Sequence, residues 1–459
     1  RSTPIRQIQE RPRTSWQCRG IKDLVSALIK AKKENSGDGH QGESAGAWVM
    51  FCNSKATNPS GSRIQRNLHR RKNIMAIRNI YYEMTSFHSL MVAEGECANG
   101  KRENRERLYF YDSLEDNLEE ISRLLRVGKI PKVEYRSFYV YVPKVRKVIY
   151  IDYWSKVIQR AIYDALNPKI CKTFIEDTYA CIKDRGQLAA MEKLYGWMKN
   201  TRNAGGEWYY YKFDVAKFFY RIDHEIMMDL CRKKIDDERA VELIRYYVDN
   251  KAIPFGMPLD ADQLTVTEEQ MLYDLGIPIG GGLSHMLGNM YLDPLDQFCK
   301  RVLGIKRYIR YMDDIIILDN DKERLREYGR RMAQFLEERL HLNFNNKTAL
   351  RPVRVGCEFV GYVIYDDHVI LRKSTTLRMK RRLREVRQEY HDNLITFKEA
   401  NATMQSYLAM LSHVDCKKFK EKLLDEFVLT HADDNGEEQI INVMEIGETG
   451  ALDYETVYC

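Results

Sequence analysis

Tyr308-Ile309-Arg310-Tyr311-Met312-Asp313-Asp314-Ile315-Ile316-Ile317-Leu318 decides the fold of this chain. Two adjacent acids sit between apolar arms rich in aromatic and β-branched residues, a pattern that predicts a β-hairpin with its carboxylates at the turn. Crowded carboxylates repel unless a cation lies between them, and hard oxygen ligands that share substrate phosphates suit Mg²⁺. An isolated Asp-Asp is more often a plain polar turn, so the reading needs a third acid in a matching context. Asp214 supplies it. It ends the aromatic run Tyr209-Tyr210-Tyr211-Lys212-Phe213, which predicts a strand buried by apolar neighbours. The following Phe218-Phe219-Tyr220-Arg221-Ile222-Asp223 predicts a turn into a helix beginning near His224. A lone Asp at a strand end is usually a cap. Joined to Asp313 and Asp314, it gives the three-carboxylate set of a nucleotidyl transferase that uses two metals.

On further blocks the chain resembles a reverse transcriptase, over roughly residues 75 to 427 and in the family's order. Ser137-Phe138-Tyr139-Val140-Tyr141-Val142-Pro143-Lys144-Val145-Arg146-Lys147 resembles the fingers motif that holds the incoming triphosphate. Phe174 to Gly186 resembles the next fingers block. Ile277-Pro278-Ile279-Gly280-Gly281-Gly282-Leu283-Ser284-His285 resembles the block that contacts template and nucleotide, continued as a helix by Gly288-Asn289-Met290-Tyr291-Leu292. Asn343 to Thr348 is similar to the loop that carries a lysine near the phosphates, and Glu358-Phe359-Val360-Gly361-Tyr362 to the primer grip. Ile279-Gly280 followed by Ser284 is similar to the reverse transcriptases of diversity-generating retroelements, which copy a template RNA with errors at adenines. His285 departs from the Gln usual there, and related defence reverse transcriptases vary at the same place. Leu371-Arg372-Lys373-Ser374 and the basic helix after it are also similar to the diversity-generating group.

The resemblance implies an α+β right-hand polymerase, with fingers, a palm built on an antiparallel sheet flanked by helices, and a helical thumb. It implies that Asp214 and Asp313 bind two Mg²⁺ ions, with Mn²⁺ as a substitute, that Asp314 lies nearby, and that the Val215 carbonyl adds a ligand. Lys144 and Arg146 would clamp the dNTP triphosphate, the guanidinium by forked hydrogen bonds. Gly280 and Ser284 would line the nucleotide site. Ile279, Gly281, His285, Tyr311, Met312, Phe359, Gly361, Arg378, Arg381 and Arg382 would meet the template-primer. Phe219 takes the steric-gate position, where a ring excludes a ribose 2′-hydroxyl; packing inward beside Phe218 is the alternative. Lys347 would protonate the leaving pyrophosphate, or be an ordinary surface lysine. The glycines at 280–282 allow close backbone approach to a base pair or a tight turn before the helix at Leu283, and their looseness motivates an expectation of low fidelity.

Composition agrees. The chain has 459 residues, 44% hydrophobic and 30% charged, enough to bury a large core as several domains. No apolar run approaches the ~18 residues of a membrane span, and the polar start at Arg1 is unlike a secretory leader. The ten cysteines form no Cys-x-x-Cys pair, which argues against a zinc ribbon or disulfide framework and for a reducing cytoplasm; the resemblance implies that it is a bacterial one, the chain being bacterial or phage-encoded. Net charge is +7. Its distribution matters more: from Arg372 to Arg387 eight cations face one acid, Glu385. Such a run is usually a solvated helix face, but at the thumb it would grip duplex phosphates without sequence preference. A second basic stretch holds Arg66, His69, Arg70 and Arg71.

The expected organisation is a polar extension at 1–74 containing the Gly-Ser-rich tract from Ser36 to Gly46, fingers at 75–207, palm at 208–365, thumb at 366–427 and an acidic tail at 428–459. Leu118, Ile121, Leu124 and Leu125 share one helical face in the fingers. Expected partners are an RNA template and its RNA/cDNA duplex, dNTPs, a small basic accessory protein and a structured noncoding RNA. A silent RNA-binding scaffold is one rival, weakened because all three acids are present. An antiphage enzyme, copying a dedicated noncoding RNA or working without a template, is another. A group II intron maturase would need a DNA-binding or endonuclease domain, for which the stretch from Val428 to Cys459 is short.

Overall fold

A computed structural model of the chain describes residues 76–99, 104–140, 146–249, 252–262, 265–278, 281–432 and 438–442. These lie in one compact unit, Asn67–Cys459. The polar extension at 1–74, with the basic stretch around Arg66 to Arg71, falls outside the described residues, as do Lys144, Ile279, Gly280 and the end of the acidic tail; Arg146 is described in its main chain only.

After the short strand β1 (Ile77–Arg78) helices predominate: α1 (Ile80–Thr85), α2 (Phe87–Ala98), α3 (Arg105–Asp112), α4 (Leu114–Arg126), then the hairpin of β2 (Tyr135–Val140) and β3 (Arg146–Ile151), then α5 (Tyr153–Ile170) and α6 (Gln187–Ala204). Leu118, Ile121 and Leu125 of α4 are fully buried, the face expected from their spacing. Asp152 caps α5 by accepting from the Ser155 amide at 2.9 Å.

The central sheet runs β6-β7-β4-β8, all antiparallel: β4 (Tyr209–Asp214), β6 (Arg307–Tyr311), β7 (Asp314–Asp319) and β8 (Ala349–Pro352). Side chains alternate across it. Phe213, Tyr308, Ile315 and Ile317 point into one core with α2, α5, α10 (Gly282–Gln297) and α11 (Lys322–Leu340). Tyr210, Ile309, Ile316 and Leu318 point into a second core with α6 and the C-terminal helices. Both faces being covered, β7 reads as an unbroken apolar run rather than an alternating one. Between β4 and α10 lie α7 (Phe218–Arg221), α8 (His224–Lys234), the short β5 (Ile235–Asp236) paired with β1, α9 (Glu238–Asp249) and a long connection at 252–278. The helix expected near His224 begins there, capped by Asp223, which accepts from the Ile226 amide at 3.1 Å.

A small sheet, β11-β10-β9, follows from β9 (Cys357–Phe359), β10 (Tyr362–Ile364) and β11 (Val369–Leu371). It hands over to α12 (Lys373–His391), α13 (Phe397–Leu411) and α14 (Lys417–Glu426), whose Met379, Leu383, Val386, Met404 and Leu411 complete the second core. The α+β class is as the sequence predicts. No helix among the described residues is long and apolar enough to cross a membrane.

Candidate active site

The hairpin read from the sequence forms as β6 and β7, with Tyr311 paired to Asp314 and Met312-Asp313 as its two-residue turn. Met312 takes φ 56°, the left-handed value that such tight hairpin turns demand and that a residue other than glycine adopts only when its surroundings hold it. They do. Arg310 is fully buried, and its Nη1 donates to the Met312 carbonyl and to Asn289 Oδ1, both at 3.0 Å. Its Nε and Nη2 fork onto Asp296, at 2.8 and 2.6 Å. Tyr308 Oη and Thr178 Oγ1 donate to the same carboxylate at 2.5 and 2.9 Å, and Asn289 Nδ2 donates to the Ala180 carbonyl at 2.7 Å. A buried, fully bonded ionic cluster therefore stands behind the acidic turn.

In front of it, Asp214 lies directly opposite Asp314 in the β4–β7 register, so both carboxylates leave the same face. Asp313 sits one residue away in the turn, its carbonyl accepting from the Val215 amide at 3.4 Å. Burial pushes the Asp314 carboxyl above the usual carboxylate range, Lys212 pulls it back, and Asp214 pushes it up again. Lys212 Nζ is 3.2 Å from Asp314 Oδ1 and donates to the Glu358 carbonyl at 2.9 Å. The Asp214 carboxylate is also bonded by Asn345 Nδ2, and its carbonyl accepts from the Asn345 amide at 2.9 Å.

Among the described residues no ready-made cluster of three or more His, Cys, Asp or Glu side chains is formed; the three expected acids stand as a facing pair, Asp214 and Asp314, with Asp313 adjacent in the turn. The strand register sets this arrangement: Asp214 and Asp314 are cross-strand partners, and Asp313 precedes Asp314 in the hairpin turn. A pair still suits Mg²⁺, which commonly takes one or two carboxylates and completes its octahedron with water and substrate phosphate.

Beside Asp314, a cavity of about 560 Å³ is lined by Lys212, Tyr311, Asp314, Phe359, Gly361, Arg372 and Arg378. Gly361 and Val360 form the β9–β10 turn at φ 94° and 43°. The Gly361 carbonyl accepts from Thr375 Oγ1 and the Arg372 amide, each at 3.0 Å, tying the turn to α12. Phe359, expected at the template-primer, is 1% exposed and packs edge-on to Tyr311 at 6.5 Å. Its ring belongs to the second core and also lines this cavity, so it backs the turn from behind. Arg381 and Arg382 pair along their own helix, with Glu385 at 2.9 Å and Glu389 at 2.7 Å, whereas Arg378 has no ion pair among the described residues.

On the other flank, Phe219 is half-buried beside Phe218 at 5.1 Å and meets the His285 ring edge-on at 5.9 Å. Gly288 makes this fit: a Cβ there would sit 3.2 Å from Phe218 and 3.3 Å from Phe219. Burial holds His285 below the usual imidazole range. Ser284 Oγ donates to the Pro278 carbonyl at 2.6 Å, tying Pro278 to the first turn of α10. Gly281 and Gly282 lie against Gln159 and Tyr163 of α5, on a cavity of about 340 Å³ that Phe138 and Ser284 also line. Lys347 is exposed, with its amide donating to Asn345 Oδ1 at 2.8 Å.

Residues 130–364 match the family described as reverse transcriptase (RNA-dependent DNA polymerase), slightly more than half of the chain. The chain belongs to the reverse transcriptase family. Protein YkfC of Escherichia coli (strain K12) is 23% identical over 273 residues, covering 51% of this chain and 67% of that protein. A structure of telomerase from Candida albicans, solved with a TWJ fragment of telomeric RNA, aligns at 12% identity and a TM-score of 0.39, over 69% of this chain and 63% of that one, so the chain spans less than two thirds of the telomerase chain. Membership in the reverse transcriptase family gives the fold its name, a right-hand polymerase, and its enzyme class, RNA-directed DNA polymerase.

Sequence reasoning missed Arg310, Asp296, Asn289, Lys212 and Asn345 as parts of this reverse transcriptase site. Lys212 was within reach, since it stands two residues before Asp214 and so shares its face. Asp296 carried no signal, because only the fold brings α10 behind the hairpin.

Proposed function

We propose that this chain synthesises cDNA on an RNA template, adding deoxynucleotides to a primer 3′-hydroxyl at the Asp214–Asp313–Asp314 site. The observation that carries the proposal is the cross-strand pairing of Asp214 with Asp314 beside the Asp313 turn, on a sheet whose family is that of reverse transcriptases. Asp214, Asp313 and the Val215 carbonyl would hold two Mg²⁺ ions, with Asp314 alongside. Those ions supply Lewis acidity that lowers the pKa of the 3′-hydroxyl and neutralises the departing pyrophosphate.

The chain's own groups do the rest. Asn345 holds the Asp214 carboxylate in one orientation, and Lys212 offsets part of the charge at Asp314. Lys144 and Arg146 bind the triphosphate, and Lys347 gives a proton to the leaving group. Phe219 occupies the space a ribose 2′-hydroxyl would need. The Val360-Gly361 turn, Tyr311 and Arg378 border the cavity that would take the primer terminus. Fingers at 75–207, palm at 208–365 and thumb at 366–427 divide this work.

Within that reading the role is error-prone copying for a diversity-generating retroelement, supported by Ile279-Gly280 in the template-contacting block. RNA and DNA that co-purify with the chain from its native locus test both levels. Mg²⁺-dependent cDNA that persists after Asp313→Ala and Asp314→Ala refutes the site. Error rates at adenines equal to those at other bases refute the diversifying role, and a bound noncoding RNA unrelated to any variable repeat points to defence instead.

A further inference from the structure

The connection at 252–278 folds back on the stretch from Lys217 to His224. The Ile277 amide donates to the Phe219 carbonyl at 2.9 Å, Met257 to Tyr220 at 3.1 Å, and Gly276 to Ile222 at 2.7 Å. The Tyr220 ring stacks on Phe255 at 4.7 Å. The two limbs of the connection are themselves pinned at Gly256, whose amide and carbonyl exchange hydrogen bonds with Leu272, each 2.9 Å. A Cβ on Gly256 would lie 2.6 Å from the Leu275 carbonyl oxygen and 2.7 Å from that of Leu272. Main-chain oxygens at β-bridges, Gly256 with Leu272 and Asp223 with Leu275, cannot give way as a flexible side chain can.

Lys217 completes the attachment. It sits at φ 49°, three residues after Asp214 and two before Phe219. Its Nζ donates to the carbonyls of Pro258 at 3.0 Å, Leu259 at 2.8 Å and Ala261. An ammonium has three donors, and the connection takes all of them. Burial lowers its proton affinity, Asp260 and Asp262 facing it raise it, and Arg221 lowers it. A solvated lysine needs no such cage, and a left-handed backbone at a residue with a long side chain has a cost that the cage offsets.

We propose that the 252–278 connection is a splint that fixes Phe219, and that Lys217 is the positioning residue that docks it, so that sugar selection depends on both. The inference rests on Phe219 acting as the ribose gate. A ring excludes a 2′-hydroxyl only if it cannot yield by a few tenths of an ångström, and supporting contacts decide that tolerance. Helix α10 braces the ring through Gly288 and His285, and the splint braces its main chain.

Single-nucleotide incorporation with dNTP and rNTP on one RNA template tests it, using the full chain. Lys217→Met and Gly256→Val each lower the ratio of kcat/KM for dNTP over rNTP by about tenfold, the order of one charge-assisted hydrogen bond. The change comes from a lower KM for rNTP, with kcat for dNTP retained. Lys217→Arg, which can still donate to the carbonyls, keeps the wild-type ratio. Phe219→Ala sets the largest loss attainable. An unchanged ratio in Lys217→Met beside a reduced one in Phe219→Ala overturns the splint, and a fall in thermal stability without a change in ratio does the same. If Phe219→Ala leaves the ratio unchanged, the gate reading falls and the splint with it. Absence of any nucleotide addition by the wild-type chain sinks the polymerase proposal itself. Should Gly256→Val not fold, Lys217→Met decides.

Discussion

Arg310 and Asp296 form an ion pair in which neither side chain is exposed, and the guanidinium reaches past that pair to the carbonyl of Met312 in the acidic turn. Burying two charges is costly unless every donor and acceptor is bonded, as here. The arrangement makes sense as support for a turn residue held in a left-handed conformation, where a side chain costs roughly 1 kcal/mol. Arg310→Met leaves Asp296 charged and buried without its partner, and stability falls by about 3–5 kcal/mol. Adding Asp296→Leu recovers most of that loss in urea denaturation. Nucleotide addition does not recover with it, because the Met312 carbonyl still lacks its donor. A double variant with wild-type kcat would show that the pair serves packing alone.

Asp314 gives the pH prediction. Burial, the largest influence, raises its folded-state pKa above the unfolded value, so the folded chain favours the protonated carboxyl. The resulting destabilisation is absent below the unfolded pKa, about 3.9 for Asp, and grows to its full size as pH rises through the folded value. Asp314→Asn is therefore more stable than wild type at pH 7, and the two converge below about pH 4. Added Mg²⁺ binds the charged form and stabilises the wild type more than the variant. Thermal unfolding at several pH values, with and without Mg²⁺, measures both. Asp313→Asn loses activity by on the order of a thousandfold, the scale of several kcal/mol of charge stabilisation.

How much of this was legible in sequence follows from what is local. The Tyr308–Leu318 hairpin, the strand ending at Asp214 and the helix at His224 are written in periodicity and turn chemistry, and they form where expected. At Phe359 the motif gave the neighbourhood, whereas the burial of the ring at the edge of the cavity depends on strand register, which the motif does not carry. The ion pairs of Arg381 and Arg382 were likewise hidden, because a run that counts as basic in composition carries Glu385 one turn from Arg381, and Glu389, just past its end, lies two turns from Arg382. The Arg310–Asp296 cluster joins a strand to a helix through the tertiary fold, and no spacing in the chain encodes it.

The basic helix yields a graded prediction. Arg378 is exposed, borders the cavity at Tyr311 and Asp314, and has no ion pair among the described residues. Arg378→Ala weakens RNA/DNA duplex binding and makes the slope of log K against log salt shallower by about 0.9, the loss of one phosphate contact. Arg381→Ala changes the slope less, since Glu385 already neutralises that guanidinium. Equal slopes for the two variants would mean that the intrahelical pairs open freely when nucleic acid arrives.

Asn345 carries the sharpest test of the metal assignment that spares the acids themselves. Its side-chain amide is bonded to Asp214 Oδ2, and its main-chain amide to the Asp214 carbonyl. A carboxylate with one oxygen fixed this way presents the other in a single direction, which is how outer partners tune a metal site, typically by 10–100-fold in affinity or activity. Asn345→Ala frees the carboxylate, so the Mg²⁺ concentration for half-maximal cDNA synthesis rises by roughly tenfold or more while the activity at saturating metal falls less. Asn345→Asp does worse, because a second carboxylate against Asp214 repels it and raises its pKa. A Mg²⁺ titration of nucleotide addition separates the cases. An Asn345→Ala enzyme with an unaltered metal requirement would mean that Asp214 does not meet the metal through the oxygen that this amide orients.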